Sequence, residues 1–315
     1  MKKVRIGHLS TSYHTSFILM GTDWIEKRMS VEPEWRLFPT GPKMIQAFTN
    51  SELDISYMGL PPAMIGIDKK LPIKCVAGGH MEGTVLTAKK SFKTLKELGS
   101  STQETLTQFK GKAIGTPSKG SIHDVIIRNL LDRYRLQQDI TVKNFQWADQ
   151  ILEAMEDGAV DGGVGTPPLA VLASRLLGAK VILPPHAMWP YNPSYGIVAT
   201  IDMIESFSDI LEDFLRLHEE ACNLIRRHPQ EAAEIAAKTL GMVDKDFVLE
   251  VYGISPKYCA SLSKEYIDST LAFVPFLQKT SYISKPLSAD DIFHTDLIER
   301  IHLEKPHYND PGMLI

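Results

Sequence analysis

The sequence predicts an α/β protein made of two similar Rossmann-like lobes with mostly parallel sheets. Three observations support this class: strands alternate with helices over short loops, one strand–helix pattern occurs twice, and both copies end in Gly-x-Pro-Pro. In the first copy Ala47 precedes Asp54 by seven positions, and in the second Ala154 precedes Asp161 by the same seven. The copies cover residues 38–64 and 145–169. Two copies favour two lobes over a solenoid.

Each copy ends where a short strand, ISYMG or GGVG, runs into Gly-x-Pro-Pro, beginning at Gly59 and Gly165. Proline fits the first turn of a helix because its φ is fixed and it lacks an amide hydrogen. The N-terminus of such a helix can hold a polar or anionic ligand. Ligands of open α/β sheets bind beyond the carboxyl ends of the strands, so two facing lobes predict a ligand in the cleft between them. The alternative is a βα unit used twice for packing.

The other elements follow from apolar runs bounded by turn residues. Predicted strands cover residues 4–9, 35–38, 54–59, 73–79, 85–88, 113–116, 140–145, 162–165, 180–183 and 196–200. Predicted helices cover 17–27, 122–134 and two segments of 207–240, the second beginning at Pro229, and mainly helix is expected after 244. The double glycine before His80 predicts either a crossing point between lobes or a bulge, with His80 as a hinge or a surface residue.

The composition of the 315 residues is that of an ordinary globular protein, with 43% hydrophobic and 23% charged residues, and two domains are expected. The net charge of -4 argues against a nucleic-acid partner. The three cysteines, Cys75, Cys222 and Cys259, are far apart, and none forms a CxxC or zinc-type Cys/His spacing. The sequence therefore predicts no metal site, no cofactor and no disulfide framework.

No stretch of the sequence approaches the 18 apolar residues that indicate a membrane span. Strand-like sequence begins at Val4, and no apolar segment of a signal peptide precedes it. Two expectations follow. Either a leader segment was removed, or Met1 is the native start and the protein stays in the cytoplasm.

Five segments are informative about the fold through their order and spacing. They are KVRIGHL, AFTNSELDISYMGLPP, FKGKAIGTPSKGSIHD, AMEDGAVDGGVGTPP and NLIRRHPQEAAEIAAKTLG. With these segments the sequence resembles the solute-binding proteins of ABC importers of the nitrate/taurine/alkanesulfonate type, which have the type II periplasmic-binding fold. Together the five segments are specific for the fold and much less specific for the ligand.

The resemblance implies two lobes joined by a hinge that close over a small molecule. Residues 1–83 would form the first part of lobe one, residues 84–195 lobe two, and residues 196–315 the return to lobe one with C-terminal helices. The implied function is capture of a small organic or anionic solute, of the sulfonate, nitrate/bicarbonate or pyrimidine/aromatic class, and its delivery to an ABC permease. A monomer located outside the cytoplasm is expected on the same ground.

Binding residues of the family map onto loops and helix starts in both lobes. The implied ligand-binding positions are Thr11, Ser12, His14, Gly41 and Gly59 in lobe one, and Ser118, Ser121, His123, Trp147 and Thr166 in lobe two. The ordinary alternatives are helix capping by the serines and packing of the tryptophan. Many relatives carry Glu-Pro at the last strand end, where this chain has Thr166-Pro167. A carboxylate that could pair with a cationic ligand group is therefore missing there.

A second hypothesis is a cytoplasmic enzyme or ligand sensor of the same fold, similar to a sulfinate desulfinase or to the pyrimidine synthase of thiamin biosynthesis. The sequence has no GxSxG, HExxH or catalytic-cysteine motif, so no catalytic residue is assigned. The desulfinase type has a nucleophilic cysteine in its first lobe, and residues 10–15 contain none. The cysteine-rich segment of the synthase type is also missing.

Overall fold

A computed structural model describes residues 2–310 of the chain. The strands are β1 (Lys2–His8), β2 (Val31–Leu37), β3 (Ile55–Met58), β4 (Ile73–Met81), β5 (Val85–Ala88), β6 (Ala113–Pro117), β7 (Thr141–Phe145), β8 (Gly162–Gly165), β9 (Lys180–Leu183) and β10 (Pro193–Thr200). The helices are α1 (Ser16–Gly21), α2 (Trp24–Arg28), α3 (Gly41–Thr49), α4 (Leu60–Asp68), α5 (Thr102–Thr107), α6 (Ile122–Arg133), α7 (Ala148–Glu156), α8 (Pro167–Leu177), α9 (Pro185–Met188), α10 (Ile201–Glu205), α11 (Ser208–Arg227), α12 (Pro229–Leu240), α13 (Lys245–Ile254), α14 (Lys264–Leu271), α15 (Val274–Lys279), α16 (Ala289–Ile292) and α17 (Asp296–Ile301). One 3-10 turn covers Lys96–Leu98.

The chain divides into two compact units. The discontinuous unit combines residues up to Met81 with those from Tyr191 onward, and the inserted unit is Glu82–Pro190. The boundaries expected from the sequence, after residues 83 and 195, lie close to these divisions. Both residues that begin a new unit, Glu82 and Tyr191, have left-handed backbones, with φ of 60° and 56°. This conformation costs a residue with a Cβ roughly 1–2 kcal/mol.

The sheet of the discontinuous unit has the strand order β2-β1-β3-β10-β4. β1 pairs in parallel with β2, from Lys2 opposite Val31 to His8 opposite Leu37, and in parallel with β3. β10 runs antiparallel to both of its neighbours, β3 and β4. Four strands thus point one way and one strand points the other way.

The sheet of the inserted unit has the order β7-β6-β8-β5-β9. β6 pairs in parallel with β7 and β8, whereas β5 runs antiparallel to β8 and β9. This sheet repeats the plan of the first sheet strand by strand. The antiparallel strand is β5, the first strand of the inserted unit, in one sheet and β10, the first strand after the chain returns to the discontinuous unit, in the other. The prediction of two α/β lobes with mostly parallel sheets is confirmed, with one antiparallel strand in each sheet as the refinement.

The two aspartates of the repeat, Asp54 and Asp161, make the same backbone hydrogen bonds in the two units. The backbone N–H of Arg5 donates to Asp54 Oδ2 at 2.8 Å, and the N–H of Asp54 donates back to the carbonyl of Arg5 at 2.9 Å. The N–H of Ala113 donates to Asp161 Oδ2 at 3.1 Å, and the N–H of Asp161 donates back at 2.7 Å. Each carboxylate therefore fixes the start of β3 or β8 against its parallel neighbour.

Replacing Asp54 by alanine is expected to destabilise the protein more than the matching change at Asp161. Asp54 also accepts from the Arg5 side chain, at 2.9 Å from Nε and 2.5 Å from Nη2, and this pairing lowers its pKa. The side-chain cation beside Asp161 is Lys112, at 3.5 Å, and Asp161 is more exposed than Asp54. We expect losses of about 3 and about 1 kcal/mol in the free energy of unfolding, measured by urea denaturation. Equal losses would show that the Arg5 pairing contributes nothing.

Two local expectations differ from the structure, and one alternative is supported. The helix predicted over residues 17–27 is two helices, α1 and α2, because Thr22 is extended between them. The double glycine lies inside β4, and the register of β4 against β10 shifts there, between the pairs Tyr195–His80 and Ile197–Ala77, as the bulge alternative predicted. His80 is completely buried, so the surface alternative is wrong. By contrast, Pro229 begins α12 as predicted.

The long helix α11 shows why the C-terminal part of the chain belongs to the discontinuous unit. Its buried residues recur at helical spacing and form one face: Leu211, Phe214, Leu215, Leu217, His218, Ala221, Cys222 and Ile225. This face includes His218, whose Nε2 lies 2.7 Å from the carbonyl oxygen of Gly78 in β4. The helix therefore carries polar groups into the core beside the sheet.

Candidate functional site

The carboxyl ends of three neighbouring parallel strands gather the predicted residues of the discontinuous unit. Thr11, Ser12 and His14 lie in the loop that follows β1, Gly41 begins α3 after β2, and Gly59 precedes α4 after β3. Because β2, β1 and β3 are adjacent and parallel, all five residues lie at the same edge of this sheet.

The starts of α3 and α4 approach each other closely. A Cβ added to Gly41 would lie 2.8 Å from Cγ of Pro62, so only glycine fits at this position. Pro42, Pro61 and Pro62 carry no amide hydrogen, and the first turns offer fewer backbone donors than an ordinary helix start. Side-chain hydroxyls therefore matter more at this edge.

Several buried hydroxyls near this edge have no hydrogen-bond partner among residues 2–310. They include Oγ of Ser12 and Oγ1 of Thr40, whose residues are 2% and 3% exposed, and Oγ of Ser16 at the start of α1. Thr40 occupies the N-cap position of α3, where threonine normally accepts from a helix amide, yet its side chain makes no capping bond. A buried hydroxyl without a partner costs roughly 1–3 kcal/mol, so such groups fit a role in binding a ligand.

Aromatic contacts fix the loop after β1. The ring of His14 lies 4.1 Å from that of Tyr195 and 4.8 Å from that of Tyr13, measured between centroids. The hydroxyls of Tyr13 and Ser194 share a hydrogen bond of 2.7 Å. The loop is thus held against β10, which contributes Ser194 and Tyr195.

Thr15 anchors the end of the same loop through His218. Nε2 of His218 must carry the proton, since it lies 2.7 Å from the Gly78 carbonyl oxygen, which can only accept. Nδ1 of His218 therefore accepts from Oγ1 of Thr15 at 2.8 Å. Burial lowers the pKa of His218 to about 4, which keeps the ring neutral at pH 7.

The inserted unit arranges its predicted residues in the same manner. Ser118 and Ser121 lie in the loop after β6, and His123 in the first turn of α6. Trp147 precedes α7 after β7, and Thr166 precedes α8 after β8. These strands are neighbours in the order β7-β6-β8 and run parallel, so the five residues share one edge of this sheet.

A buried carboxylate that the sequence analysis missed shapes the loop after β6. Oδ2 of Asp124 accepts from the N–H of Gly120 at 3.0 Å, and its Oδ1 accepts from Nε of Arg128 at 2.7 Å. Nδ2 of Asn144, in β7, also donates to Oδ1 at 2.8 Å. Gly120 has φ +82°, which favours glycine. Asp124 thus ties the loop to its own helix and to the next strand.

The helix-capping alternative applies to Ser121, whose hydroxyl accepts from the N–H of Asp124 at 3.3 Å. Ser118 is half-buried. Trp147 is half-buried as well, and its backbone N–H donates to Oε1 of Gln150 at 3.0 Å. Oγ1 of Thr116, at the end of β6, is buried and has no partner within the described residues. Thr116 therefore joins Ser12 and Thr40 as a candidate donor. Of these three residues only Ser12 was predicted from the sequence.

His123 is a neutral, buried histidine. Its Nδ1 lies 2.9 Å from Oγ1 of Thr84, and burial lowers its pKa to about 4. A neutral imidazole offers one donor and one acceptor, which suits an uncharged or an anionic ligand group.

The depressed pKa of His123 predicts a loss of stability in acid. In the unfolded chain the ring takes up a proton below about pH 6.5, whereas in the folded chain it stays neutral down to about pH 4. Stability is therefore full above pH 6.5 and falls as the pH drops through this window, by about 1.4 kcal/mol per pH unit. Between pH 7 and pH 5 we expect the wild type to lose about 2 kcal/mol more than His123→Asn in urea denaturation. The exposed His186, changed to Asn, serves as the control, and equal pH dependence in all three proteins would contradict the prediction.

The candidate residues offer mostly neutral hydrogen-bonding groups. No lysine or arginine is buried among residues 2–310, and Lys43 and Lys119, next to the two groups of candidates, are exposed. The cysteines are all buried and free, and burial raises the pKa of Cys75 to about 12, which makes this thiol a poor nucleophile. The arrangement can hold a small ligand through hydroxyls, backbone amides and neutral histidines.

No helix in the part of the chain that the structure describes is long and apolar enough to cross a membrane.

Comparisons with known proteins agree with this architecture. A curated protein of Brucella abortus (strain 2308), named "Putative binding protein", is 22% identical over 246 residues, which is 77% of this chain and 72% of that protein. The fold is similar to the ligand-binding component of an ABC-type import system from Staphylococcus aureus, solved with zinc bound, with a TM-score of 0.79 and 14% identity over 96% of this chain and 100% of that one. It is also similar to the alkanesulfonate-binding protein SsuA from Xanthomonas axonopodis pv. citri bound to MOPS, with a TM-score of 0.78 and 15% identity over 94% and 99% of the two chains.

These structures confirm the type II periplasmic-binding fold that the five sequence segments predicted. The model of the NMT1-like family matches residues 1–241, which is more than half of the chain. The chain therefore belongs to the NMT1-like family.

Proposed function

We propose that the chain is the solute-binding component of an ABC importer, which captures a small organic or anionic molecule and delivers it to a permease. The observation that carries the proposal is the set of buried hydroxyls at the carboxyl ends of the strands, Ser12, Thr40 and Thr116, which lack a partner among residues 2–310. Buried polar groups are nearly always hydrogen-bonded, so a ligand is the natural partner. Family membership and the functions for which the similar proteins are named support the same function.

The ligand class follows from the chemistry of these groups. Hydroxyls and backbone amides at helix starts donate to oxygen atoms, as a sulfonate, nitrate or carboxylate presents them. The absence of a buried lysine or arginine within the described residues means that neutral donors would carry the recognition. The rings of His14, Tyr57 and Tyr195 lie together near the loop after β1, which also suits the flat body of a pyrimidine or an aromatic acid.

We propose the partner and the location from the similarity to solute-binding proteins of importers. An importer component works with a membrane permease and is expected outside the cytoplasm as a monomer. Closure on the ligand would shift the population of conformers toward the one that the permease accepts.

No observation favours the alternative of a cytoplasmic enzyme. The similar proteins reported above are described as binding proteins or binding components. The desulfinase-like hypothesis requires a reactive thiol, whereas Cys75, Cys222 and Cys259 are all buried. We therefore propose that the chain performs no chemistry on its ligand.

A ligand screen tests this proposal directly. Native mass spectrometry of the freshly purified protein is followed by thermal-shift measurements with sulfonates, nitrate, bicarbonate, pyrimidines and aromatic carboxylates. A ligand at 100 times its Kd stabilises the folded form by about 2.7 kcal/mol. One hit that is recovered chemically unchanged supports solute capture. A hit that is recovered altered favours the enzyme, and the lack of any hit across these classes contradicts the proposed ligand chemistry.

Ser12→Ala is expected to separate binding from stability. Because Oγ of Ser12 has no partner among the described residues, its removal should leave the melting temperature of the ligand-free protein unchanged or raise it. The affinity for the solute should fall by about 10-fold or more, since a charge-assisted hydrogen bond of roughly 1.5–3 kcal/mol is lost. Isothermal titration calorimetry measures the affinity.

Ser121→Ala is the matched serine change, because its hydroxyl caps α6 and its loss should cost about 1 kcal/mol of stability. The prediction for Ser12 fails if its alanine variant melts lower and binds the solute as tightly as the wild type.

A further inference from the structure

Three metal-ligating side chains of the discontinuous unit converge near the end of the described chain. Cys259 lies in the loop between α13 and α14, and His302 and His307 follow α17. One ligand atom from each residue lies within 4.8 Å of the others. The thiol is buried, and the two histidine side chains are only 3% and 11% exposed. None of the three belongs to the candidate solute-binding residues.

The distances match those of a tetrahedral zinc site. Sγ of Cys259 lies 3.6 Å from Nε2 of His302 and 3.7 Å from Nδ1 of His307. Bond lengths of about 2.3 Å for zinc–sulfur and about 2.05 Å for zinc–nitrogen, at the tetrahedral angle, place these atoms about 3.6 Å apart. The two sulfur–nitrogen distances therefore fit a divalent ion, and all three ligand atoms lie within 4.8 Å of one another.

The outer ring nitrogen of each histidine faces a carboxylate. Nδ1 of His302 lies 3.0 Å from Oε1 of Glu219, and Nε2 of His307 lies 3.0 Å from Oε2 of Glu304. A carboxylate on the outer nitrogen accepts its proton and leaves the inner nitrogen as a lone pair for the metal. Both histidines thus have the orientation that a metal requires, with opposite nitrogens pointing inward.

The surroundings hold the three residues in place. The hydroxyl of Tyr308 donates to the carbonyl of Cys259 at 2.6 Å and lies 2.9 Å from the carbonyl of Ser261. Glu219 lies on α11, which is packed against the sheet, so His302 is anchored to the core of the unit. The carbonyl oxygen of Lys305 lies 3.4 Å from Nε2 of His302 and is near enough to approach a fourth position.

We infer that Cys259, His302 and His307 form a metal site for zinc or an ion of similar softness, separate from the candidate solute-binding residues. A thiolate and two imidazoles suit zinc better than magnesium or calcium, which prefer oxygen ligands. Three protein ligands leave the fourth position to water or a carbonyl. The bound ion would fasten the segment after α17 to the loop after α13 and so stabilise the discontinuous unit. Zinc chemistry also explains why two histidines and a cysteine share a poorly exposed place.

Cobalt is the probe for this site because it replaces zinc and reports its ligands. Full-length protein, treated with a chelator and reduced, is titrated with Co²⁺. We expect one ion per chain, strong tetrahedral bands in the visible spectrum and a thiolate charge-transfer band in the near ultraviolet. Zn²⁺ should displace the Co²⁺ spectrum and raise the melting temperature. X-ray absorption of the zinc-loaded wild type should then count one sulfur and two imidazole ligands, which requires no variant to fold.

Variants assign the ligands. Cys259→Ser and His302→Gln should abolish the tetrahedral cobalt spectrum, whereas Cys75→Ala and the exposed His228→Gln should keep it. Glu219→Gln keeps every ligand and should weaken zinc binding by about 10–100-fold. The inference is overturned if the wild type gives no thiolate band, if the band survives in Cys259→Ser, or if the absorption data show only oxygen and nitrogen ligands.

Discussion

Asp124→Ala is expected to lower the free energy of unfolding of the inserted unit by about 3–5 kcal/mol. The carboxylate is completely buried, and its removal takes away the acceptor of the Gly120 N–H and one of the acceptors of Arg128 and of Asn144. The loop after β6 should loosen as well, because the bond from the N–H of Gly120 to Asp124 joins this loop to α6. Solute affinity should therefore fall together with stability. Urea denaturation and calorimetry measure the two effects.

Two further variants make the Asp124 prediction specific. Asp124→Asn keeps an oxygen for Gly120 and loses the charge that Arg128 needs, so its loss should be smaller than that of the alanine variant. Asp139→Ala removes an exposed carboxylate that pairs with Lys110 at 3.0 Å and should cost at most about 1 kcal/mol. If Asp124→Ala is no more harmful than Asp139→Ala, the buried network does not hold the loop.

Gly79→Ala is expected to destabilise the discontinuous unit by about 3–5 kcal/mol. An added Cβ would lie 2.1 Å from Cε2 of Tyr195 and 2.6 Å from its Cζ. The tyrosine ring is completely buried against His14, Tyr13 and Tyr57, so it cannot move aside cheaply. The shift of Tyr195 would also disturb the loop after β1 and weaken solute binding. Chemical denaturation gives the size of the effect.

Gly158→Ala separates the clash from the ordinary cost of losing a glycine. Gly158 has φ +73° and nothing within 4 Å of the added Cβ, so only backbone strain of roughly 1–2 kcal/mol remains. Combining Gly79→Ala with Tyr195→Ala should recover part of the loss, since the ring that causes the clash is gone. Simple additivity of the two changes would show that the crowding lies elsewhere.

The repeat carried most of the fold prediction because its signals are local. The Gly-x-Pro-Pro elements and the proline at residue 229 mark helix starts through backbone chemistry that neighbouring residues cannot override. The aspartates of the repeat have the same spacing because each performs the same strand-fixing task. Two similar sheets were therefore predictable from one chain. The single antiparallel strand in each sheet was not, because the direction of β10 depends on where the chain re-enters the unit.

The parts of the site that were missed depend on distant partners. Nothing near Thr40 in the sequence shows that its hydroxyl lacks a capping bond, and the partners of Asp124 include Asn144, 20 positions away. His80 resembles a loop residue beside two glycines, whereas pairing of β4 with β10 buries it. That the ten predicted positions contact a ligand stays a prediction.

The metal-ligand cluster was not predicted for the same reason, although one local signal was present. Cys259 and His302 are 43 positions apart, and only the fold brings them together. The H-x4-H spacing of His302 and His307 was the available signal, since it falls within the range of zinc-binding histidine pairs.

The strand order affects how the protein folds during its synthesis on the ribosome. Among the strands described in the discontinuous unit, β4 pairs with β10 alone, and its two isolated bridges, to Tyr258 and Phe293, come from residues later still. β3 meets its second neighbour only when β10 arrives. The inserted unit, in contrast, has every strand of its sheet between Val85 and Leu183. A growing chain that stops at residue 190 therefore holds one finished sheet and one with open edges, which are prone to pair with other chains. The unit that begins the sequence is therefore the second to be completed. While its strand edges are still open during synthesis, this protein is most in need of protection against aggregation.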